Sequence, residues 1–314
     1  MGLDRETLNF DTVILGGGPA GLSAAIYSAR GNNSTAVVDL NMFGGQPSNY
    51  LELENYPGFD LIGGYDLMEK FENHADKFGV KKYPMQEIEN VDLSAKRVVT
   101  KEFEFLSKTI IIATGAAPKK LGISGEKEFV GRGVSYCAVC DGAFYRGKVV
   151  AVVGGGNAAV EEANYLTKFA DKVYVIHRRD KLRADKIVQE RAFKNPKIEF
   201  VWNSIAKEIS GDSLVNTLTI ENVLSHEITN LSVNGVFPYI GFTPNTDLFN
   251  GQIQQDEGGF IITDETMQTS IEGVFAVGDV RKTPLRQVIT AASDGAVGAV
   301  YATKYLEIAQ AQVV

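Results

Sequence analysis

Phe10-Asp11-Thr12-Val13-Ile14-Leu15 runs straight into Gly16-Gly17-Gly18-Pro19-Ala20-Gly21 and on into Leu22-Ser23-Ala24-Ala25-Ile26-Tyr27-Ser28-Ala29-Arg30. The apolar run reads as a buried strand. The last nine residues read as a helix ended by Gly31. Ala36-Val37-Val38-Asp39 reads as a second, parallel strand with an acid at its end. Strand, GxGxxG turn, helix, strand and acid in this order form a dinucleotide-binding unit. Its glycines let backbone N–H groups and the helix start meet a pyrophosphate, and Asp39 can accept from ribose hydroxyls. Gly16, Gly18, Pro19, Ala20 and Asp39 are therefore candidate ligand contacts.

The layout recurs. Lys148-Val149-Val150-Ala151-Val152-Val153 leads into Gly154-Gly155-Gly156-Asn157-Ala158-Ala159, a helix through Val160–Leu166 and a second strand, Val173–Ile176. His177-Arg178-Arg179 follows, with Arg183 a turn further on. Asp39 lies 23 residues after Gly16, and His177 lies 23 residues after Gly154, so a basic cluster replaces the acid in the second copy. An acid suits a free 2′-hydroxyl, whereas arginine accommodates a 2′-phosphate. The first unit thus suits FAD and the second NADPH, with Gly154, Gly156, Asn157, Ala158, His177, Arg178, Arg179 and Arg183 as candidate contacts. A solvated charge run would explain Asp180 or Lys181, but not arginines at a strand end.

The chain's only two cysteines, Cys137 and Cys140, stand in Ser135-Tyr136-Cys137-Ala138-Val139-Cys140-Asp141-Gly142. Two thiols this close can exchange two electrons with a partner by forming a disulfide. The competing reading is metal binding. Structural zinc usually takes four ligands, no second Cys pair exists, and the three histidines (His74, His177, His226) are scattered. Redox chemistry is the better reading of a CxxC near βαβ patterns, and no metal is expected. Asp141, directly after the pair, can donate a proton to a leaving thiolate or accept one from a thiol; a helix or turn cap is the alternative.

Length and composition bound the rest. A chain of 314 residues suggests two domains on a prior of ~150 residues each. Hydrophobic content of 44% and charged content of 22% fit a globular protein. A net charge of −8 argues against nucleic acid, which favours a basic face. No long apolar run suggests a signal peptide or membrane span, and Glu6 stands where a myristoylation signal wants Ser or Thr. The expected location is the cytoplasm, where a lone CxxC is more often catalytic than structural.

Between these units lie a Gly-rich turn at Phe43-Gly44-Gly45-Gln46-Pro47 and the segment Glu54-Asn55-Tyr56-Pro57-Gly58-Phe59. A helix with apolar positions near Tyr65, Leu67, Met68 and Phe71 follows, then short strands over about 80–108. Thr109–Ile112 is another buried strand, ending in a turn at Ala113-Thr114-Gly115-Ala116, and Gly273-Val274-Phe275-Ala276-Val277-Gly278-Asp279 repeats that form. Arg286-Gln287-Val288 opens a long helix to about Gln310, whose start presents N–H groups and a positive dipole end to an electron-rich ring.

Taken together, the sequence resembles a low-molecular-weight bacterial thioredoxin reductase almost end to end. The resemblance rests on GGGPAG at 16–21, GGQ at 44–46, ENYPGF at 54–59, ATGA at 113–116, CAVCDGAFY at 137–145, GGGNAAVEEA at 154–163, HRRDKLRA at 177–184, GFTPN at 241–245 and VFAVGDV at 274–280. It implies an α/β protein of two Rossmann-like, three-layer ββα nucleotide-binding domains. The FAD domain would comprise 1–116 and 245–314, with the NADPH domain inserted at 117–244. It adds Gly45, Gln46, Asn55, Thr114, Gly115, Gly278, Asp279, Arg286, Gln287 and Val288 as flavin contacts.

The implied activity carries hydride from NADPH to the flavin, then two electrons to the Cys137–Cys140 disulfide and on to oxidised thioredoxin. By resemblance Cys140 faces the flavin, Cys137 attacks thioredoxin and Asp141 moves the proton. A rotation of one domain against the other, hinged near Gly115 and Gly241, and a homodimer are family implications. Pro47 and Leu182 stand where relatives often carry Leu and Phe. A ferredoxin-dependent flavin thioredoxin reductase would lack the second nucleotide motif, and a ferredoxin–NADP reductase would lack the CxxC. A hydroperoxide-reductase flavoprotein would need an extra N-terminal disulfide domain. A redox-sensing flavoprotein that does not turn over, or one serving another disulfide protein, remains the alternative.

Overall fold

The computed structural model describes residues 5–49, 53 and 55–311, with the side chains of Asn49, Val139, Cys140 and Gln310 left aside. Glu54 of the ENYPGF segment lies outside the described residues. The chain packs into two compact units, Met1–Ala117 with Thr243–Val314, and Pro118–Phe242.

The first unit is built on a seven-stranded sheet. Its order is Lys81–Tyr83, Thr35–Val38, Glu6–Leu15, Phe103–Ile112, Arg97–Thr100, Ile88–Asp92, with Val274–Ala276 also paired to Phe103–Ile112. The strands around Glu6–Leu15 are parallel, and Arg97–Thr100 and Ile88–Asp92 add an antiparallel edge. Side chains alternate across a strand. Ile14, Val37, Ile111 and Phe275 accordingly face the helices Pro19–Arg30 and Val288–Ala311. Val13, Leu15, Ala36, Val38, Ile110, Ile112 and Ala276 face the opposite core with Phe105, Phe249 and Ile261. Burial on both faces is why these strands appear in sequence as unbroken apolar runs.

The second unit repeats the plan. A parallel sheet in the order Ile198–Val201, Lys172–Ile176, Val149–Gly154, Gly235–Tyr239 carries Asn157–Leu166 on one face. The other face packs on an antiparallel meander, Ser204–Gly211, Val215–Asn222 and Ile228–Ser232. Helix, parallel sheet and meander make three layers of α/β structure, as expected.

Some elements start elsewhere than the sequence pattern alone indicates. The first strand begins at Glu6 rather than Phe10 because its N-terminal half pairs with Phe103–Ser107. The C-terminal helix starts at Val288, after Arg286 and Gln287. Tyr65 is 64% exposed: at 100° per residue it lies roughly 100° from the centre of the Leu67–Met68–Phe71 stripe.

Candidate nucleotide and redox sites

In the first unit the strand ends at Leu15 and turns on Gly16, whose φ of +109° and position against Ala113 admit no Cβ; one built there would lie 2.4 Å from the Ala113 carbonyl oxygen. Pro19 sits at the start of the following helix, and Gly18 caps it without any side-chain hydrogen bond. The first helical N–H groups thus have no side-chain acceptor. The space before them is bounded by Gly45, the nearest atom to a Cβ on Gly18 at 3.8 Å. An uncapped helix start behind a side-chain-free cradle fits a diphosphate.

Asp39 follows the second strand. Its carboxylate accepts the Gly17 N–H at 2.6 Å and the Asn41 N–H at 2.8 Å. Burial pushes its carboxyl pKa up, against those two hydrogen bonds. Gly44 N–H donates to the Gly17 carbonyl at 2.8 Å, which brings the Gly44-Gly45-Gln46 turn onto the first glycine turn. The Gln46 amide donates to the Ala116 carbonyl. Pro47 is buried in a 3₁₀ turn over Gln46–Asn49.

Three further pieces of the same unit carry candidates. Thr114 Oγ1 donates to the Asn245 carbonyl at 2.7 Å, and Asn245 Nδ2 donates to the Thr114 carbonyl at 2.8 Å. Asn55 Nδ2 donates to Gln287 Oε1 at 2.7 Å. The Gly278–Val280 turn is tied to the C-terminal helix: Asp294 accepts the Gly278 N–H at 3.2 Å and Arg281 Nε–H at 2.7 Å. Burial pushes the Asp279 carboxyl up to about 6, opposed by Arg286 and reinforced by Asp294. Arg286 also lies over the Phe260 ring, 4.3 Å from its centroid.

The second unit holds the other glycine turn and the cysteines. Gly156 caps Asn157–Leu166 without a side-chain hydrogen bond, and a Cβ there would meet nothing within 4 Å. This too is an uncapped helix start with open space before it. Asn157 and Asp185 form a two-bond clasp: Asn157 Nδ2 donates to Asp185 Oδ2 at 2.8 Å, and Asp185 N–H donates to Asn157 Oδ1 at 2.6 Å. Ala158, Arg178, Arg179 and Arg183 are exposed. Arg183 N–H donates to the Gly155 carbonyl at 2.7 Å, so the arginine loop is fastened to the glycine turn.

His177 is placed differently. It is 5% exposed, its ring fills the space a Gly155 side chain would need, and its Nε2–H bonds the Lys181 carbonyl at 3.0 Å. Burial lowers its pKa, and Arg183 and Arg178 push the same way. A neutral imidazole under the turn supports the basic loop; the charge presented to solvent is that of the arginines. Leu182, in the same loop, is buried against Val160 and Val188.

Cys137 is disulfide-bonded, and Cys140 is the one other cysteine in the chain. Cys137 N–H donates to Ser135 Oγ at 3.1 Å, Ala138 N–H to the Tyr239 hydroxyl at 2.7 Å, and Asp141 N–H to the Cys137 carbonyl at 3.2 Å. One helical turn, Ala138–Asp141, results. Asp141 is half-buried, and together with burial its charge pushes the Tyr145 phenol up to about 12. Ser135, Asp185, Tyr239, Asn245 and Asp294 were not candidates from sequence. Asn245 had a signal, since it closes the GFTPN motif, and so had Asp294, an acid set among the small and apolar residues that open the last helix. Among the described residues no group of three or more His, Cys, Asp or Glu could hold a metal ion, and no helix is long and apolar enough to cross a membrane.

The chain is similar in sequence and fold to known proteins. The model of the pyridine nucleotide-disulphide oxidoreductase family matches residues 10–295. A thioredoxin reductase of Peptoclostridium acidaminophilum is 48% identical over 307 residues, covering 95% of this chain and 97% of the relative. One of Bacillus subtilis is 46% identical over 301 residues, covering 95% of each. Among solved structures, the thioredoxin reductase of Streptococcus pyogenes MGAS5005 is 48% identical with a TM-score of 0.77, covering 95% of this chain and 98% of that one.

Proposed function

Since the chain belongs to the pyridine nucleotide-disulphide oxidoreductase family and, within it, to the thioredoxin reductases, we propose a division of labour between its two units. The enzyme is an oxidoreductase that uses FAD and NADPH. We assign FAD to the unit of Met1–Ala117 and Thr243–Val314, and NADPH to that of Pro118–Phe242. When bound, the flavin supplies the two-electron relay between the reduced nicotinamide and the disulfide.

In the first unit the helix start at Gly18–Pro19 takes the FAD diphosphate, and Asp39 holds the adenosine ribose. Gly45, Gln46, Asn55, Thr114, Gly115, Gly278 and Asp279 line the remaining length, and Arg286, Gln287 and Val288 present the last helix to the ring. In the second unit Gly154, Gly156, Asn157 and Ala158 receive the NADPH diphosphate, His177 supports the turn, and Arg178, Arg179 and Arg183 surround the 2′-phosphate.

The observation that carries the reading is that a disulfide-bonded Cys137 sits in the same unit as a glycine turn flanked by three exposed arginines. Reduction breaks the Cys137–Cys140 bond. The Cys137 thiolate then attacks thioredoxin's disulfide, and Cys140 resolves the mixed disulfide, regenerating the S–S bond and leaving thioredoxin with two thiols. Asp141 supplies or takes the proton at sulfur. The enzyme is proposed to work in the cytoplasm as a homodimer. Steady-state turnover with thioredoxin, compared for NADPH and NADH, tests the reading: a strong NADPH preference supports it, and equal use of both removes the arginine assignment.

A further inference from the structure

The strand Gly235–Tyr239 is bonded along both edges. On one edge it pairs in parallel with Val149–Gly154, ending with Tyr239 opposite Gly154. A Cβ on Gly154 would lie 2.3 Å from the Tyr239 carbonyl oxygen, so the nucleotide turn begins directly against the Tyr239 backbone. On the other edge Val236 N–H donates to the Gly133 carbonyl at 2.8 Å, and Ser135 N–H donates to the Val236 carbonyl at 3.0 Å. The segment leading into the disulfide therefore runs along the same strand. Its last tie is the Ala138 N–H, between the two cysteines in sequence, which donates to the Tyr239 hydroxyl at 2.7 Å. Ala138 is fully buried.

We propose that Tyr239 is a positioning residue of the redox centre: its backbone abuts the nucleotide turn, and its hydroxyl holds the disulfide turn in its oxidised geometry. This rests on the thioredoxin-reductase reading above. Reducing the disulfide breaks the S–S bond and takes up two electrons from the flavin and up to two protons. Any hydrogen bond stronger in the disulfide form than in the dithiol form makes that bond harder to reduce, and makes the dithiol a better reductant. The Ala138–Tyr239 bond is present in the disulfide form. A buried N–H deprived of its acceptor is costly, so its loss weighs on the oxidised state.

The test is Tyr239→Phe in the full-length holoenzyme, with the disulfide equilibrated against dithiothreitol buffers and thiols counted by alkylation. The expected result is a shift of about tenfold toward the dithiol, which is ~30 mV upward for a two-electron couple. Thioredoxin reduction should slow, while the rate at which NADPH alone bleaches the flavin stays as in wild type. An unchanged potential with a lowered melting temperature would overturn the proposal and leave Tyr239 a packing residue. Should the variant not fold, amide exchange of Ala138 in wild-type enzyme decides: slow exchange in the disulfide form and faster exchange in the dithiol form is expected, and equal exchange contradicts it. Wild-type enzyme that NADPH does not bleach would instead break the underlying reading.

Discussion

Asp39 accepts the Gly17 backbone N–H at 2.6 Å, so the acid at the end of one strand fixes the glycine turn at the end of its neighbour. The carboxylate meets the Gly17 and Asn41 N–H groups from a mostly buried position. The residue assigned to the ribose therefore also shapes the diphosphate cradle. Asp39→Ala should weaken FAD binding by roughly 1.5–3 kcal/mol for the lost charged partner, read as FAD released on gel filtration. Retention equal to wild type would remove Asp39 from the site.

The arginines in the second unit predict cofactor choice. Replacing Arg178 and Arg179 together with Ala should raise the NADPH KM far more than the NADH KM, each charged hydrogen bond being worth roughly 1.5–3 kcal/mol. His177→Asn should lower the thermal stability of the turn and affect both nucleotides alike, because the buried imidazole bonds the Lys181 carbonyl. The two variants separate direct contact from support.

Asp279 gives a pH dependence with a defined sign. Burial raises its carboxyl to about 6, above the ordinary aspartate value of 3.8, so the folded state binds more protons than the unfolded state between those values. Stability of FAD-free protein should fall as pH rises through about 4 to 6 and level off above, the cost being roughly 1–3 kcal/mol. Asp279→Asn should flatten this profile and stabilise the FAD-free protein at pH 7 while weakening FAD binding. A melting profile identical to wild type from pH 4 to 7 contradicts the assignment.

Glu162 behaves similarly. Burial and Glu161 raise its carboxyl to about 7, and Oε2 is buried without a hydrogen-bond partner. Its stabilising contribution when protonated is lost as pH rises from about 4.5 to 7, so Glu162→Gln should raise the melting temperature at pH 8 more than at pH 5. Equal effects at both would show that Glu162 is not the titrating group.

Much of this was legible in the chain because the physics was local. Val13, Ile14 and Leu15 are all fully buried, and a strand covered on both faces announces itself as an apolar run. The glycines at 16 and 154 were legible because no other residue fits against Ala113 or Tyr239 there. The meander over Ser204–Ser232 was not, since Lys207 and Glu208 stand side by side where an irregularity in the pairing breaks the polar–apolar alternation of its first strand. The burial of His177 was likewise hidden. Sequence placed it beside two arginines, while only the fold sets its ring beneath Gly155.

The order of electron transfer rests on the cysteines. Cys140→Ser should abolish thioredoxin reduction yet leave NADPH able to bleach the flavin, because donor and relay do not depend on the disulfide. Flavin left oxidised by NADPH in this variant would contradict that order.

The most direct measurement of the whole account is an anaerobic titration of the yellow holoenzyme with NADPH, followed by oxidised thioredoxin. NADPH should bleach the flavin absorbance, and thioredoxin should restore it in the same cuvette. Flavin bleached by dithionite but not by NADPH would contradict the account and make another donor, such as ferredoxin, the one to test.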